Sequence, residues 1–201
     1  MSAQVNLNPR LPSPGRAAGD DWRWYAVQTR ARHEKRIESE LNSKGISAYA
    51  PTMREVHRWS DRNKLVDVPL FSCYVFVRAL LQPALRLEIL KTTGVFRFVE
   101  TQGVPASIPD TEIESIQRVI LQGLPLTSCG ALHVGEKVRI RGGSLDGVEG
   151  VLSAVRGENR LVISVDLIQQ AVSVTIDGYL VERIGHDGSA PGGSAVARAR
   201  S

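Results

Sequence analysis

Few cysteines and no membrane-length hydrophobic run characterise this 201-residue sequence. Its two cysteines, Cys73 and Cys129, lie far apart and match no metal-ligand spacing, so neither a disulfide framework nor a zinc site is indicated. The N-terminus lacks the apolar core that a secretory signal needs, and no apolar run is long enough to span a bilayer. The sequence therefore predicts a soluble protein of a reducing, cytoplasmic compartment.

Catalytic motifs are also missing. The histidines His33, His57, His133 and His186 are not spaced as metal ligands, and the chain has neither a phosphate-binding loop nor a dinucleotide-binding fingerprint. Cys73 has no general base near it in sequence. We therefore expect no enzyme activity, no metal and no cofactor, which leaves a binding function.

Composition and charge favour a folded protein with an anionic partner. Hydrophobic residues make up 42% of the chain, which is enough for real cores and argues against global disorder. The formal net charge is +4, and ten Lys and Arg residues stand against five Asp and Glu between Arg23 and Lys64. Such a basic segment favours contact with nucleic acid.

Changes in composition along the chain predict two domains. Residues 1–21 and 186–201 are rich in Pro, Gly and small residues, which indicates a disordered arm and a disordered tail. Residues 22–123 are expected to form one domain, residues 124–131 a linker, and residues 132–185 a second domain.

The first domain reads as an α+β sandwich with an antiparallel sheet and three helices. Strand periodicity begins at Trp24, and helix formers fill residues 31–45. The clearest helix runs from Asp110, its expected N-cap, to Gly123. A turn-like stretch within residues 54–64 predicts a hairpin. The element order is then β–α–β–β–β–α–β–α.

The second domain reads as a small five-stranded β-barrel. Residues 134–152 are VGEKVRIRGGSLDGVEGVL, in which Val138 and Ile140 alternate with charged residues around clustered glycines. Glycine supplies the positive φ angles and close approaches of a tightly curled barrel. The predicted strands are 136–141, 147–155, 160–166, 171–176 and 179–183.

Both domains resemble one family. Residues 134–152 closely resemble a KOW motif, and the succession WYAVQT, PLFSCYVFV, GVFRFV resembles the N-terminal domain of NusG-type transcription elongation factors. The stretch HRWSDRNKLVDVPLF further resembles the specialised RfaH-like and UpxY-like antiterminators. The family usually has Phe-Pro-Gly-Tyr or Phe-Pro-Asn-Tyr where residues 71–74 here read FSCY, so this turn is expected to differ locally.

The resemblance implies that the N-terminal domain binds RNA polymerase. Aromatic anchors would line a groove for two helices of the β′ clamp, and a Thr-containing segment would touch the gate loop of the β subunit. The candidate residues are Tyr25, Phe71, Tyr74, Phe76, Phe96, Thr92 and Thr93. The alternative for the aromatic residues is a plain hydrophobic core, because side chains on a strand alternate between two faces.

Two basic segments are candidates for contact with non-template DNA. Arg32 and Arg36 would project together from the first helix, and the hairpin surrounds Trp59 with cations that suit base stacking. The candidate residues are Arg30, Arg32, Lys35, Arg36, Arg54, His57, Arg58, Trp59 and Arg62. The alternatives are a solvated helix face balanced by glutamates, and a Trp59 packed on its own sheet.

The resemblance also gives the barrel a partner of its own, a ribosomal protein or the termination factor Rho. Leu167, Ile168 and Gln169 are the candidate contacts, although Gln169 and Gln170 replace the usual Gly and basic residue, and Ile168 alternatively packs under a loop. The expected function is that of a monomeric elongation and antitermination factor that suppresses pausing and termination. Alternatives are a general housekeeping NusG and a ribosome-associated KOW protein that binds RNA.

Overall fold

The computed structural model describes residues 22–58, 63–130, 135–155, 158–176, 178–184 and 196–198. The helices are α1 (Glu34–Ser43), α2 (Pro83–Leu90) and α3 (Asp110–Leu121). The strands around them are β1 (Arg23–Thr29), β2 (Ser47–Tyr49), β3 (Thr52–Arg58), β4 (Asn63–Pro69), β5 (Tyr74–Ala79), β6 (Val95–Phe98), β7 (Glu100–Thr101), β8 (Val104–Pro105) and β9 (Ser107–Ile108). The predicted α+β class is confirmed.

The N-terminal sheet has two differently covered faces. Its strands follow the order β2-β5-β1-β6, β9 also pairs with β1, and all pairings are antiparallel. One face carries Val27 and Val75, which pack in a core with Ile37 of α1 and Ile89 of α2. The other face carries Phe76, which belongs to a separate, larger core. Helices α1 and α2 therefore cover only one side of this sheet.

The remaining strands form one antiparallel sheet. They are β10 (Leu126–Gly130), β11 (Glu136–Arg141), β12 (Glu149–Val155), β13 (Glu158–Val165), β14 (Gln170–Thr175), β15 (Leu180–Arg183) and β16 (Val196–Arg198). Their order is β10-β14-β13-β12-β11-β15-β16. Short 3-10 turns lie at Gly143–Leu145 and Asp166–Ile168. Strands β11 to β15 are the five predicted from sequence, and we call them the C-terminal β-domain.

The glycine cluster shapes this β-domain as expected. Gly142 and Gly147 have φ angles of 77° and 78°, which L side chains rarely adopt. Gly150 has an ordinary φ, but a Cβ atom there would lie 2.5 Å from the carbonyl oxygen of Val162 on β13. The first two glycines thus allow the turn, and the third allows β12 and β13 to approach closely.

Two segments outside the predicted barrel add strands to its sheet. Residues 126–130, within the expected linker, form β10 and pair with β14. Residues 196–198, within the expected disordered tail, form β16 and pair with β15. The unpaired backbone groups of an edge strand are ready partners for any extended segment nearby. The linker interpretation is wrong for this stretch, and so is disorder throughout the tail.

Helix α1 begins later than the sequence predicts. Arg32 has a φ of 64°, outside the helical region, and α1 starts at Glu34. The backbone N–H of Arg30 donates to the carbonyl oxygen of Gly94, which holds the preceding loop against β6. The expectation that Arg32 and Arg36 project from one helix face is therefore wrong. Asp110 is likewise the first residue of α3 rather than its N-cap, which is Pro109.

The predicted basic hairpin is present as β3 paired with β4. His57 lies opposite Lys64 and Arg58 opposite Asn63 in this ladder. Its turn, with Trp59 and Arg62, lies outside the described residues, as does the arm at 1–21. A second small hairpin, β7 with β8, has no counterpart in the predicted order. Within the described ranges, no helix combines the length and apolar character needed to cross a membrane.

Candidate protein-binding and nucleic-acid-binding surfaces

The aromatic residues predicted to bind polymerase divide between different surfaces. Phe71, Tyr74 and Phe76 belong to the core on the sheet face opposite α1, and we call them the aromatic face. Tyr25 packs with the other core, where its ring meets that of Phe98 edge to face with centroids 6.3 Å apart. Phe96 in β6 is 64% exposed. Tyr25 and Phe96 are therefore not part of the aromatic face.

The aromatic face is covered in this structure. Phe71 and Phe76 pack edge to face, with centroids 5.6 Å apart and an interplanar angle of 82°. They are 1% and 0% exposed. The core that contains them continues through Ile113 and Ile116 of α3 into β-domain residues such as Leu161. The cover is thus α3 together with the C-terminal β-domain.

Polar contacts accompany this packing. Helix α3 packs against β12 and β13, and Nη1 of Arg118 donates to the carbonyl oxygen of Asp146 over 2.8 Å. At the start of the β-sheet, Oγ of Ser128 in β10 donates to the carbonyl oxygen of Leu70 over 3.3 Å. Leu70 directly precedes Phe71, so β10 lies beside the aromatic face.

The candidate partner loop of the β-domain lies in the same shared core. Ile168 is 6% exposed and belongs to the cluster that contains the aromatic face, and Leu167 packs against it. Gln169 has a φ of 53°, is exposed, and its Nε2 donates to the carbonyl oxygen of Asp166 over 2.7 Å. Ile168 is thus buried, in agreement with the alternative prediction that it packs under a loop. The candidate partner contacts of both domains are largely enclosed between them.

The turn that leads into β5 departs from the family pattern in sequence while keeping an unusual backbone angle. Cys73 has a φ of 69°, in the left-handed region that glycine and asparagine favour. Its backbone N–H donates to Oε1 of Glu34 over 2.8 Å, and Glu34 is 1% exposed. Glu34 thus anchors the aromatic face from α1. No local sequence signal points to this role, because 39 residues separate the partners.

The two candidate threonines differ in exposure. Thr92 is 2% exposed, and its Oγ1 accepts from Nζ of Lys44 over 3.1 Å and lies 3.5 Å from the carbonyl oxygen of Glu88. Its hydroxyl is thus committed within the domain, contrary to the expected surface contact. Thr93 is exposed and is the member of this pair that a partner can reach.

The candidate cations of the N-terminal domain form two groups. Lys35 and Arg54 flank Asp67, with Nζ of Lys35 at 2.6 Å and Nε of Arg54 at 3.8 Å from its carboxylate oxygens. The hydrogen bond from Lys35 is the main reason that the pKa of Asp67 is lowered. Arg30, Arg32 and Arg36 are exposed, and no carboxylate of a described residue pairs with them. We call these three the arginine group.

Arginines of the β-domain are instead neutralised locally. Nε of Arg139 donates to Glu149 over 2.8 Å across the β11–β12 ladder. Nε of Arg141 donates to Glu182 over 2.5 Å across the β11–β15 ladder. Nε of Arg183 lies 2.8 Å from a carboxylate oxygen of Glu136. This side of the β-domain therefore presents ion pairs rather than a free basic patch.

The structure thus combines an α+β region, whose aromatic face is covered, with a small β-domain. A family model described as "Transcription termination factor nusG" matches residues 22–117. A transcription termination/antitermination protein NusG from Borreliella burgdorferi is 25% identical over 180 residues, covering 80% of this chain and 98% of that protein. Over residues 22–117 the chain is thus similar to the NusG family.

Other comparisons span a similar share of the chain. A transcription termination/antitermination protein NusG from Lactococcus lactis is 24% identical over 177 residues, covering 82% of this chain and 94% of that protein. A solved structure titled "Domain interaction in Thermotoga maritima NusG" covers 77% of this chain and 93% of that chain at 20% identity, with a TM-score of 0.45.

Proposed function

We propose that this protein is a transcription elongation and antitermination factor whose N-terminal domain binds RNA polymerase through the aromatic face. The relatives named transcription termination/antitermination proteins support the functional class. The observation that carries the binding surface is the covering of Phe71 and Phe76 by α3 and the β-domain rather than by α1 or α2. Rigid aromatic anchors on an apolar sheet face suit an amphipathic helical partner such as the β′ clamp helices.

Polymerase binding at this face requires the β-domain to move. Phe71 and Phe76 have almost no free surface, so a helical partner reaches them only after the shared core separates. Residues 122–125 connect α3 to β10 and act as the tether between the two domains in this proposal. Separation also exposes Ile168, so the released β-domain presents its own partner loop. Tethering then raises the effective concentration of that second partner at the polymerase.

The arginine group supports contact with non-template DNA beside the polymerase. Arg30, Arg32 and Arg36 are exposed on the loop after β1 and on the first turn of α1, without carboxylate partners among the described residues. Free guanidinium groups bind phosphates and release counterions, which makes such binding salt-dependent. Lys35 and Arg54 contribute less in this proposal, because both face Asp67.

Ribosomal RNA binding by the β-domain is the less supported alternative. A KOW domain that holds RNA phosphates needs unpaired cations, whereas Arg139, Arg141 and Arg183 each face a glutamate. We propose a specialised paralogue rather than the general factor on the resemblance of the β3–β4 hairpin sequence to RfaH-like proteins. Transcript profiling after gene deletion tests this choice, since a specialised factor changes one operon and a general factor changes many.

A binding experiment with the full chain and core RNA polymerase tests the proposed surface. Tyr74→Ala removes a half-buried member of the aromatic face and is expected to weaken binding at least about tenfold, the usual range for an interface anchor. Tyr179→Ala is the matched control, because Tyr179 is a half-buried tyrosine of the β-domain whose hydroxyl lies 3.0 Å from Oγ of Ser144. Unchanged polymerase affinity in a folded Tyr74→Ala variant contradicts the proposal.

A separate experiment tests the arginine group. The double substitution Arg30→Ala and Arg36→Ala is expected to weaken binding of single-stranded DNA and to lower the salt dependence of the affinity by roughly one to two phosphate contacts. Arg141→Ala is the control, because that arginine is paired with Glu182. An equal effect of both substitutions on the salt dependence argues against a specific role for the arginine group.

A further inference from the structure

Glu112 occupies an unusual place in the contact between α3 and the C-terminal β-domain. It lies in the first turn of α3, is half-buried, and faces the 3-10 turn Asp166–Ile168 that contains the candidate partner loop. Its Oε2 is enclosed and has no hydrogen-bond partner among the described residues. The backbone N–H of Asp166 lies near its carboxyl group and favours the ionised form. A carboxyl group of one domain therefore meets a turn of the other.

The charges around Glu112 disfavour its ionised form. Burial raises its pKa most, the nearby carboxylate of Asp166 raises it further, and the Asp166 N–H together with Lys137 of β11 opposes both effects, so that the pKa lies at about 7. Oγ of Ser164 donates to Oδ1 of Asp166 over 2.6 Å. When the domains separate, Glu112 regains water and loses Asp166, so its pKa falls toward the ordinary value of 4.5.

The other charged groups of α3 near this contact are either paired or exposed to solvent. On α3, Asp110 lies 3.8 Å from Nη2 of Arg78, and Arg118 donates to the carbonyl oxygen of Asp146. Glu114, two residues beyond Glu112 on the same helix, is exposed. Glu112 and Asp166 are thus the two acids that meet at this contact.

We propose that Glu112 and Asp166 form a proton-sensitive latch between the two domains. With Glu112 protonated, the domains stay docked and the aromatic face and Ile168 remain covered. With Glu112 ionised, two carboxylates face each other in a partly dry contact, and the docked form weakens. The functional meaning of the latch rests on the proposed polymerase binding, but the latch itself is a property of the isolated chain.

The direction of the pH dependence follows from the two pKa values. A group whose pKa is higher in the docked form stabilises docking fully at pH values below its undocked pKa, and this contribution is lost as pH rises through the docked pKa. For values of about 7 and 4.5, the docking equilibrium constant is expected to fall about tenfold between pH 6 and pH 8. The latch is therefore tightest in acid and loosest above neutrality.

Methyl NMR on the full chain measures docking without any polymerase. The Ile116 and Ile168 methyl groups lie in the shared core, so their shifts report the docked fraction, and small-angle X-ray scattering gives an independent radius of gyration. The wild-type docked fraction is expected to fall from pH 6 to pH 8. Glu112→Gln keeps the shape without the charge and is expected to remain docked across that range. Glu114→Gln, the matched control on the same helix, is expected to behave like wild type.

A second substitution keeps the test decisive. Asp166→Asn removes the opposing charge, so the pKa of Glu112 in the docked form is expected to fall and the docked fraction to change less between pH 6 and pH 8. The latch is overturned by a docked fraction that does not change between pH 6 and pH 8, or by an equal pH dependence in Glu112→Gln. Failure of polymerase binding through Tyr74 is detected separately and leaves these docking results unaffected.

Discussion

Nη1 of Arg118 donates a 2.8 Å hydrogen bond to the carbonyl oxygen of Asp146, joining α3 to the glycine turn of the C-terminal β-domain. A Cβ atom at the neighbouring Gly147 would lie 2.8 Å from the same Nη1. A side chain at position 147 would therefore require the end of the flexible Arg118 side chain to shift. The residue that signals the KOW motif in sequence also shapes the contact between the domains.

Arg118→Ala is expected to loosen the docking of the two domains. The hydrogen bond is exposed, so its loss lowers the docking constant only about fivefold, near 1 kcal/mol. The methyl shifts of Ile168 and the radius of gyration measure the change. Arg97→Ala is the control, since Nε of Arg97 donates to Oε1 of Gln28 within the N-terminal sheet. Equal docking in wild type and Arg118→Ala would show that this contact contributes nothing.

Cys73→Gly is expected to stabilise the protein. A left-handed backbone costs an L residue about 1–2 kcal/mol, and glycine avoids this cost but loses about 0.5–1 kcal/mol through its freer unfolded state. The net gain is then on the order of 0.5–1 kcal/mol, measured as the free energy of unfolding in urea. Ser72→Gly has no such strain to relieve, because Ser72 is not among the residues with positive φ, and it is expected to destabilise. A loss of stability in Cys73→Gly contradicts the strain argument.

Phe76→Ala is expected to destabilise the protein by about 3–5 kcal/mol, because it empties a fully buried site. Tyr74→Ala, at a half-buried position, is expected to cost clearly less. Urea unfolding monitored by circular dichroism compares the two variants. This difference makes Tyr74 the better probe of polymerase binding, because its loss leaves more of the fold intact. Equal destabilisation by both substitutions would show that Tyr74 is as much a core residue as Phe76.

Gly150→Ala is expected to destabilise the C-terminal β-domain by about 2–3 kcal/mol, because its Cβ atom would meet backbone at 2.5 Å. Gly142→Ala is the matched comparison, since a Cβ there meets nothing within 4 Å and only the φ of 77° opposes it. Its ψ of 167° completes a backbone conformation that is occupied almost only by glycine, so that substitution is expected to cost about 1–3 kcal/mol. Thermal unfolding gives the rank order. A larger loss for Gly142→Ala would show that backbone angle matters more here than close approach.

Local patterns predict much of the architecture. Helix α3 follows from the spacing of Ile113 and Ile116, and its end from Gly123, whose φ is 64°. The hairpin β3–β4 follows from turn-forming residues between extended runs. The strands β11 and β12 follow from alternation around the glycine cluster. In each case the signal lies within one element or one turn, where backbone and side chain act on each other directly.

Local sequence patterns do not predict features that depend on residues distant in the chain. Strand β10 exists because Leu126–Gly130 meets the free edge of β14, and its own sequence reads equally well as a linker. The start of α1 is set by Arg32, whose positive φ accompanies a loop held to Gly94 by Arg30. Thr92 lies in a polar run that predicts an exposed position, but Nζ of Lys44 donates a hydrogen bond to its hydroxyl group. Each outcome is decided by residues many positions away.

The sequence by itself determined most elements of the two domains, the apolar faces of their strands and their resemblance to one family, because these follow from periodicity, glycine geometry and motif order. Only the tertiary structure decided what those faces meet. An apolar pattern predicts that Phe71, Phe76 and Ile168 are buried, but it does not predict which surface covers them. Burial is non-directional, so the choice of partner, and with it the meeting of Glu112 and Asp166, comes from the packing of α3 and the β-domain against the sheet.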